Sequence, residues 1–384
     1  MAIDFFGHGK ILFLKFRKNN SVILKFVNCS TKNLTMKNQK LKISFFILLV
    51  VCALNVHSQK YKAGIIAFYN IENLFDTINT PDVFDEEFTP EGINKWTGDR
   101  YWKKINNNAT IISQLGKPEG VPGPAIVGLS EIENRSVVED LINSPHLKPL
   151  DYDIVHYDSP DRRGVDVGLI YQKKYFTVTG SRSAALLVYD QQTQKRIYTR
   201  DQLVVSGLFD GEPMHFIVNH WPSRRGGEKA SAYLRNAAAD LTRSIVDSIR
   251  KVDPHAKVIV MGDLNDDPNN ESLTNHLKAN SNIKKMKDDE LLNTMGEHFK
   301  NGVGSLAYRD SWNLFDQIVI TPSLLGKDYS SYKFRHSRIY NDAILTQKEG
   351  RFKGYPWRTY VGTTFSGGYS DHFPVYIMLV KETK

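Results

Sequence analysis

From residue 59 onward the chain contains no cysteine; its two, Cys29 and Cys52, both fall in the first 58 residues. A disulfide frame, a thiolate zinc site and a cysteine nucleophile are therefore excluded for that region. It also lacks net charge. Nine of the 50 Lys and Arg residues, but only Asp4 of the 42 acidic ones, lie in residues 1–58, so the formal charge of +8 belongs to the leader. The rest balances charge for charge, and the overall basicity points to no polyanionic partner. No apolar run reaches the ~20 residues that a membrane span needs. There is no Pro/Ser/Gly linker, repeat or low-complexity tract, and 41% hydrophobic with 24% charged residues is ordinary for a folded domain. A multi-span membrane protein, a collagen-like fibre and a wholly disordered chain are thereby excluded.

Residues 36–58 read as targeting sequence. Met36-Lys37-Asn38-Gln39-Lys40-Leu41-Lys42 is cationic, Phe45–Leu54 is apolar, and Val56-His57-Ser58 ends in a small residue. This is the tripartite form of a secretory signal peptide over 36–58, cleaved after Ser58. A membrane anchor would need about twice the apolar length, and Val51 stands before Cys52 where a lipoprotein signal expects a small residue. Met36 is then the initiator, residues 1–35 an upstream extension, and residues 59–384 one exported domain, periplasmic or extracellular.

Short β-type runs recur through that domain: Gly64–Tyr69, Ala125–Leu129, Tyr152–His156, Val167–Tyr171, Val204–Phe209, His215–Val218, Lys257–Met261, Phe315–Ile320 and Phe373–Val380. Two helical faces stand out, Trp102/Ile105/Ala109/Ile112/Leu115 and Leu234/Ala238/Leu241/Ile245/Ile249. Many strands with few long amphipathic helices predict packed sheets covered by helices. Residues 272–305 and 322–360 are polar and irregular and read as loops or insertions.

Polar residues collect at the strand tips. Asn70, Glu131, His220, and Asp263 with Asn265 each follow an apolar run, while Asp316 and Asp371-His372 each open one. Between antiparallel neighbours the end of one strand and the start of the next share an edge, so all six deposits can meet at one rim. Each alone has an ordinary structural use: turn asparagines, a capping Glu131, a loop His220, a hairpin Ser370-Asp371-His372. Those uses do not explain why every deposit falls at a strand end. Carboxylates, amides and two imidazoles gathered together suit a hard cation plus acid–base chemistry.

These residues carry a family resemblance. Phe68-Tyr69-Asn70, Leu129-Ser130-Glu131, Val218-Asn219-His220, Gly262-Asp263-Leu264-Asn265, Phe315-Asp316 and Ser370-Asp371-His372-Phe373-Pro374-Val375 resemble, in order, the motifs of the endonuclease/exonuclease/phosphatase superfamily. The likeness runs over roughly 64–380. The stretches Asn70–Asp76, Asp158–Asp166 and His220–Gly227 are similar to those of a bacterial, often exported, subgroup. The resemblance implies an α/β fold, a four-layer α/β/β/α sandwich of two packed mixed sheets flanked by helices. It also implies hydrolysis of phosphate esters with a divalent metal, usually Mg²⁺, with Mn²⁺ as a substitute.

For the reaction, the phosphate charge must be neutralised, water deprotonated and the pentacoordinate charge stabilised. Glu131 is the first choice of metal ligand, helped by Asn70 and Asp371, since Mg²⁺ needs only one or two carboxylates plus waters. By resemblance, His372 oriented by Asp316 is the general base or its electrostatic equivalent, and Asp263 positions or deprotonates water. Asn265 and His220 donate to transition-state oxygens, or His220 protonates the leaving group. Arg162, Arg163, Arg224 and Arg225 lie in two loops beside the rim, as solvated surface or as a phosphate clamp. Of Trp221, Trp312 and Trp357, at least one packs the core and the others are free to stack bases.

The leading expectation is a nuclease acting on nucleic acid, monomeric by default. The alternatives are a phosphatase or sphingomyelinase-like phosphodiesterase on small-molecule or lipid phosphates, and a non-catalytic scaffold. A lipid hydrolase should expose an apolar hairpin, and none is evident in the sequence. A scaffold should have lost Glu131, Asp263 or His372, and all three are present.

Overall fold

The computed structural model describes residues 61–383 and the backbone of two N-terminal strands. Those two, Ile11–Lys18 and Ser21–Asn28, pair antiparallel as a unit of their own within residues 1–59. The expected leader, 36–58, and both cysteines lie outside the described residues.

All nine β-type runs become strands. In chain order the strands that build the main body are β1 (Tyr61–Leu74), β2 (Ile126–Ile132), β3 (Tyr152–His156), β4 (Asp166–Gln172), β5 (Phe176–Ala184), β6 (Gln202–Phe209), β7 (Glu212–His220), β8 (Val258–Asp263), β9 (Ala279–Asn280), β10 (Leu291–Asn293), β11 (Leu306–Tyr308), β12 (Ser311–Asn313), β13 (Asp316–Ile320), β14 (Lys333–Ile339) and β15 (Val375–Glu382). One sheet has the order β14-β15-β1-β2-β4-β3 and the other β9-β10-β13-β8-β7-β6-β5. Both are mixed: β1 and β2 run parallel, as do β7 and β8, while most other neighbours are antiparallel.

Period-2 alternation decides which residues face what. In the second sheet Phe216/Val218, Ile259/Met261 and Ile318/Ile320 point at the first sheet and join the main core. Ile217, Val258, Val260 and Val319 point the other way, onto a second cluster with Ala238, Ala239, Ile245 and Val246 of helix α3 (Glu228–Val252). Glu228 in its first turn and Arg250 and Lys251 in its last suit the helix dipole. Helices α1 (Gly98–Gln114) and α2 (Arg135–Asn143) cover the first sheet. The layers are helix, sheet, sheet, helix, as the α/β/β/α sandwich requires.

The sheets approach closely at Gly128 on β2. A Cβ there would lie 2.6 Å from Met261 Sδ and 3.1 Å from Phe68. Gly128→Val is expected to destabilise by about 1–3 kcal/mol through overpacking; an unchanged urea midpoint would contradict this contact.

Two expectations are corrected. On α1 the buried stripe is Tyr101, Lys104, Ile105, Asn108, Ala109, Ile111 and Ile112, and Trp102 is more than half exposed. Ile105, Ala109, Ile112 and Leu115 of the expected face are buried, and the stripe leaves out Trp102 but takes in Lys104, which donates to Thr359 Oγ1 and the Tyr369 carbonyl. The supposedly irregular 272–305 and 322–360 contain β9, β10 and β14, short or edge strands. Lys-Phe-Arg-His-Ser-Arg-Ile of β14 buries only its final Ile, so no apolar alternation announces it.

Candidate active site

The inward columns of the second sheet end in the polar residues. Phe216-Val218 continues to His220, Ile259-Met261 to Asp263, and Ile320-Ile318 to Asp316. Register sets these three side by side, His220 opposite Asp263 and Asp263 opposite Asp316. Directly paired residues share a face, so all three emerge into the gap between the sheets at one end.

The first sheet supplies the facing half. Asn70 donates from Nδ2 to Asp263 Oδ2 at 3.1 Å, while its Oδ1 accepts the Glu72 N–H at 2.9 Å. Beyond Asn70 the β1–β2 ladder is broken by a bulge, and Glu72, Asn73 and Glu131 all have left-handed backbones with φ of 52, 50 and 60°. Such conformations are uncommon for side-chain-bearing residues and cluster at functional sites. Here they bring the Asn73 N–H to Glu131 Oε2 at 3.0 Å and leave Oε1 4.0 Å from His220 Nε2.

His372 closes the site just before β15. Its Nδ1 lies 2.6 Å from Asp316 Oδ2, which also accepts from Ser305 Oγ. Its Nε2 stands 3.9 Å from Asp263 Oδ2, and His220 Nε2 stands 3.6 Å from the same oxygen. Ser370 ties the turn down, accepting the His372 N–H and donating to the Asn70 carbonyl.

Environment separates the two histidines. Burial disfavours charge on both. At His372 the Asp316, Asp263 and Asp371 carboxylates overcome that and hold the pKa well above its ordinary value. At His220 burial, reinforced by Arg200 and Arg163, pushes it well below. Neutral His220 has a buried Nδ1 without a partner; an orphaned acceptor is more tolerable than an orphaned donor, so the proton sits on Nε2, facing the carboxylates. Burial raises Asp263 to about 7 despite the nearby His372 charge.

The structure therefore places Asn70, Glu131, His220, Asp263, Asp316 and His372 around one centre. Asn265 adjoins it, its N–H donating to Asp263 Oδ1 and its Nδ2 to the Trp221 carbonyl. Asp371 is at the margin, held at 2.8 Å by Arg358. The arginines divide. Arg224 is not a free clamp: its guanidinium donates to Glu228, Asp266, Asp267, Asn270 and the Asn265 carbonyl, fixing the turn after β8. Arg225 is exposed on that loop; Arg162 lies over the Tyr198 ring and Arg163 near Asp161, both exposed. Trp221 is the core tryptophan, and Trp312 is 41% exposed.

Three supporting groups were not singled out as site residues, although Asp166 closes the family-like stretch Asp158–Asp166. Buried Arg200 pairs with Asp161 at 2.9 Å and donates to the His220 and Trp221 carbonyls, fixing that loop. Buried Lys104 lies 3.5 Å from Glu72, behind the bulge. Buried Asp166 lies 3.3 Å from His156 Nε2 and accepts from Ser159, anchoring the loop of Arg162 and Arg163.

A divalent cation suits this donor set. Glu131 and Asp263 are hard oxygen donors, and the Asn70 Oδ1 keeps one lone pair beside the Glu72 N–H; among the described residues no lysine or arginine forms an ion pair with Glu131 or Asp263. Two carboxylates gathered at the mouth of a hydrophobic sandwich without such a partner favour a bound cation.

A two-sheet sandwich with acidic and imidazole groups at its strand ends defines a metal-dependent phosphoric ester hydrolase. The family description "Endonuclease/Exonuclease/phosphatase family" matches residues 65–381, and the chain belongs to that family. Among solved structures it is similar to a family member from Bacteroides thetaiotaomicron, at 16% identity over 85% of this chain and 97% of that one, with a TM-score of 0.50. Also similar are the mannosyl-6-phosphatase of the same species (15%, 82% and 99%, 0.48) and D. rerio TDP2 complexed with a single-strand DNA product (14%, 83% and 99%, 0.47). No curated protein sequence matches the chain.

Proposed function

We propose that this chain is an exported, Mg²⁺-dependent phosphodiesterase acting on nucleic acid. The observation that carries the reading is the meeting of Asn70, Glu131, His220, Asp263, Asp316 and His372, from two sheets, at one centre. Glu131 and Asn70 would hold the metal, with Asp371 at the margin beside them. When bound, the ion supplies positive charge to the phosphate and to the departing oxygen. Asp263 Oδ2, faced by Asn70, His220 and His372, is the acceptor placed to orient the attacking water. His220 Nε2–H and the remaining Asn265 amide hydrogen donate to the phosphate oxygens. Asp316 fixes the His372 ring so that Nε2 faces the reacting centre. Export rests on the leader's pattern alone.

The test is an assay of the full chain on bis-p-nitrophenyl phosphate, plasmid DNA, RNA and sphingomyelin, with and without EDTA. The expected outcome is turnover of the simple diester and of nucleic acid, abolished by EDTA and restored by Mg²⁺. Turnover that persists in EDTA overturns the mechanism, turnover of sphingomyelin alone moves the substrate to lipid, and no turnover of any overturns the phosphodiesterase reading.

A further inference from the structure

The β11–β12 hairpin and the polar 322–360 segment flank a cleft that Arg358 links to Asp371, the residue before His372. It has a volume of about 260 Å³ and lies between the β11–β12 hairpin and the loop around Phe352. Contrary to the sequence reading, the chain does expose an aromatic hairpin: Tyr308 is 62% and Trp312 41% exposed. The rings form a chain toward the catalytic centre. Phe352 meets Tyr355 at 5.7 Å, Tyr355 meets Trp312 at 5.9 Å, and Trp312 stacks on Phe373, next to His372, at 6.0 Å and 16°. Arg309 lies over Tyr308 and Arg351 over Phe352. Arg358 lines the same cleft and reaches Asp371.

We infer that this cleft is a nucleobase subsite, seating the planar base of a nucleotide whose phosphate lies at the catalytic centre. The inference rests on the phosphodiesterase reading and names its substrate class. Three guanidinium groups, Arg309, Arg351 and Arg358, line the cleft against Asp310, which already accepts from the Tyr355 hydroxyl, and Asp371, which pairs with Arg358. The local field is positive in a domain that is otherwise neutral, and complements the phosphates flanking a base. Aromatic and guanidinium planes both stack on bases. A sugar's hydroxyls both donate and accept and need a dense polar lining, whereas beside its arginines this cleft offers chiefly rings, with Gln347 and Asp310 as its polar side chains. A lipid surface fits less well, because the hairpin's tip is Arg309-Asp310, and charged tips do not enter hydrocarbon cheaply.

The experiment titrates the full chain, in EDTA to prevent turnover, with thymidine 5′-monophosphate and with ribose 5-phosphate, following tryptophan fluorescence. The nucleotide is expected to bind at least ~5-fold more tightly, the low end of a base–aromatic stack. Arg351→Ala and Phe352→Ala, both at exposed positions, are each expected to erase that difference, with thermal melts confirming folding. Equal affinity for both ligands, tighter binding of the sugar phosphate, a difference that survives both substitutions, or retention on sphingomyelin vesicles without nucleotide preference each overturns the subsite. Hydrolysis of bis-p-nitrophenyl phosphate by the unaltered chain separates the two claims. A chain that cleaves this ester without preferring the nucleotide loses only the subsite. One that prefers the nucleotide but cleaves nothing keeps the subsite and loses the phosphodiesterase reading.

Discussion

His372→Ala is expected to lower turnover of bis-p-nitrophenyl phosphate by about 10²–10⁴-fold, the span of a lost acid–base or charged group at a reacting centre. The ring joins buried Asp316 to Asp263 Oδ2, the oxygen that Asn70 and His220 also face. Removing it also leaves the Asp316 carboxylate, already with an orphaned Oδ1, to Ser305 alone. Some stability is lost with it, so activity must be read where near-UV circular dichroism shows the variant folded. Asp316→Asn separates the two effects. It keeps the shape and the Ser305 contact but weakens the orientation of the imidazole, so kcat should fall less than in His372→Ala while KM holds. A decline of only a few-fold in His372→Ala would remove that residue from the catalytic set.

Much of this centre was legible because period-2 strands that are apolar to their last inward position end repeatedly in Asp or His, a recurrence that ordinary turn and loop uses do not explain. Ile259-Met261-Asp263 and Phe216-Val218-His220 show that break in sequence, and the structure turns it into neighbouring columns. The supporting charges were not legible. Nothing in the sequence sets Lys104 and Arg200 apart from other lysines and arginines, most of which are exposed in proteins; only the fold shows a Thr359 hydroxyl accepting from one and two backbone carbonyls accepting from the other. Arg224 misled in the opposite sense. Its place in a basic loop suggests a clamp, but Asp266, Asp267 and Asn270 follow 42 to 46 residues later and bind it from across the turn. Strand β14 escaped notice because an edge strand with one buried residue carries no alternation to read.

Glu131→Gln tests the metal directly. The amide keeps the size of the side chain and retains an oxygen for the Asn73 N–H, so the left-handed bulge of Glu72, Asn73 and Glu131 need not unwind. What is lost is the negative charge. The Mg²⁺ concentration for half-maximal activity is therefore expected to rise by at least about 10–100-fold, since even outer-shell changes shift metal affinity that much, with the urea midpoint nearly unchanged. Asp263→Asn should behave differently. Its Oδ2 is the shared acceptor of the centre rather than the isolated donor at its edge, so added Mg²⁺ should not restore a turnover lowered by about 10²–10⁴-fold. Titrating Mg²⁺ against both variants checks the division of labour. If Glu131→Gln responds to Mg²⁺ as the unaltered chain does, Glu131 is not the ligand; if Asp263→Asn is rescued by Mg²⁺, then Asp263 holds the cation, and water must be oriented by another group at the same oxygen.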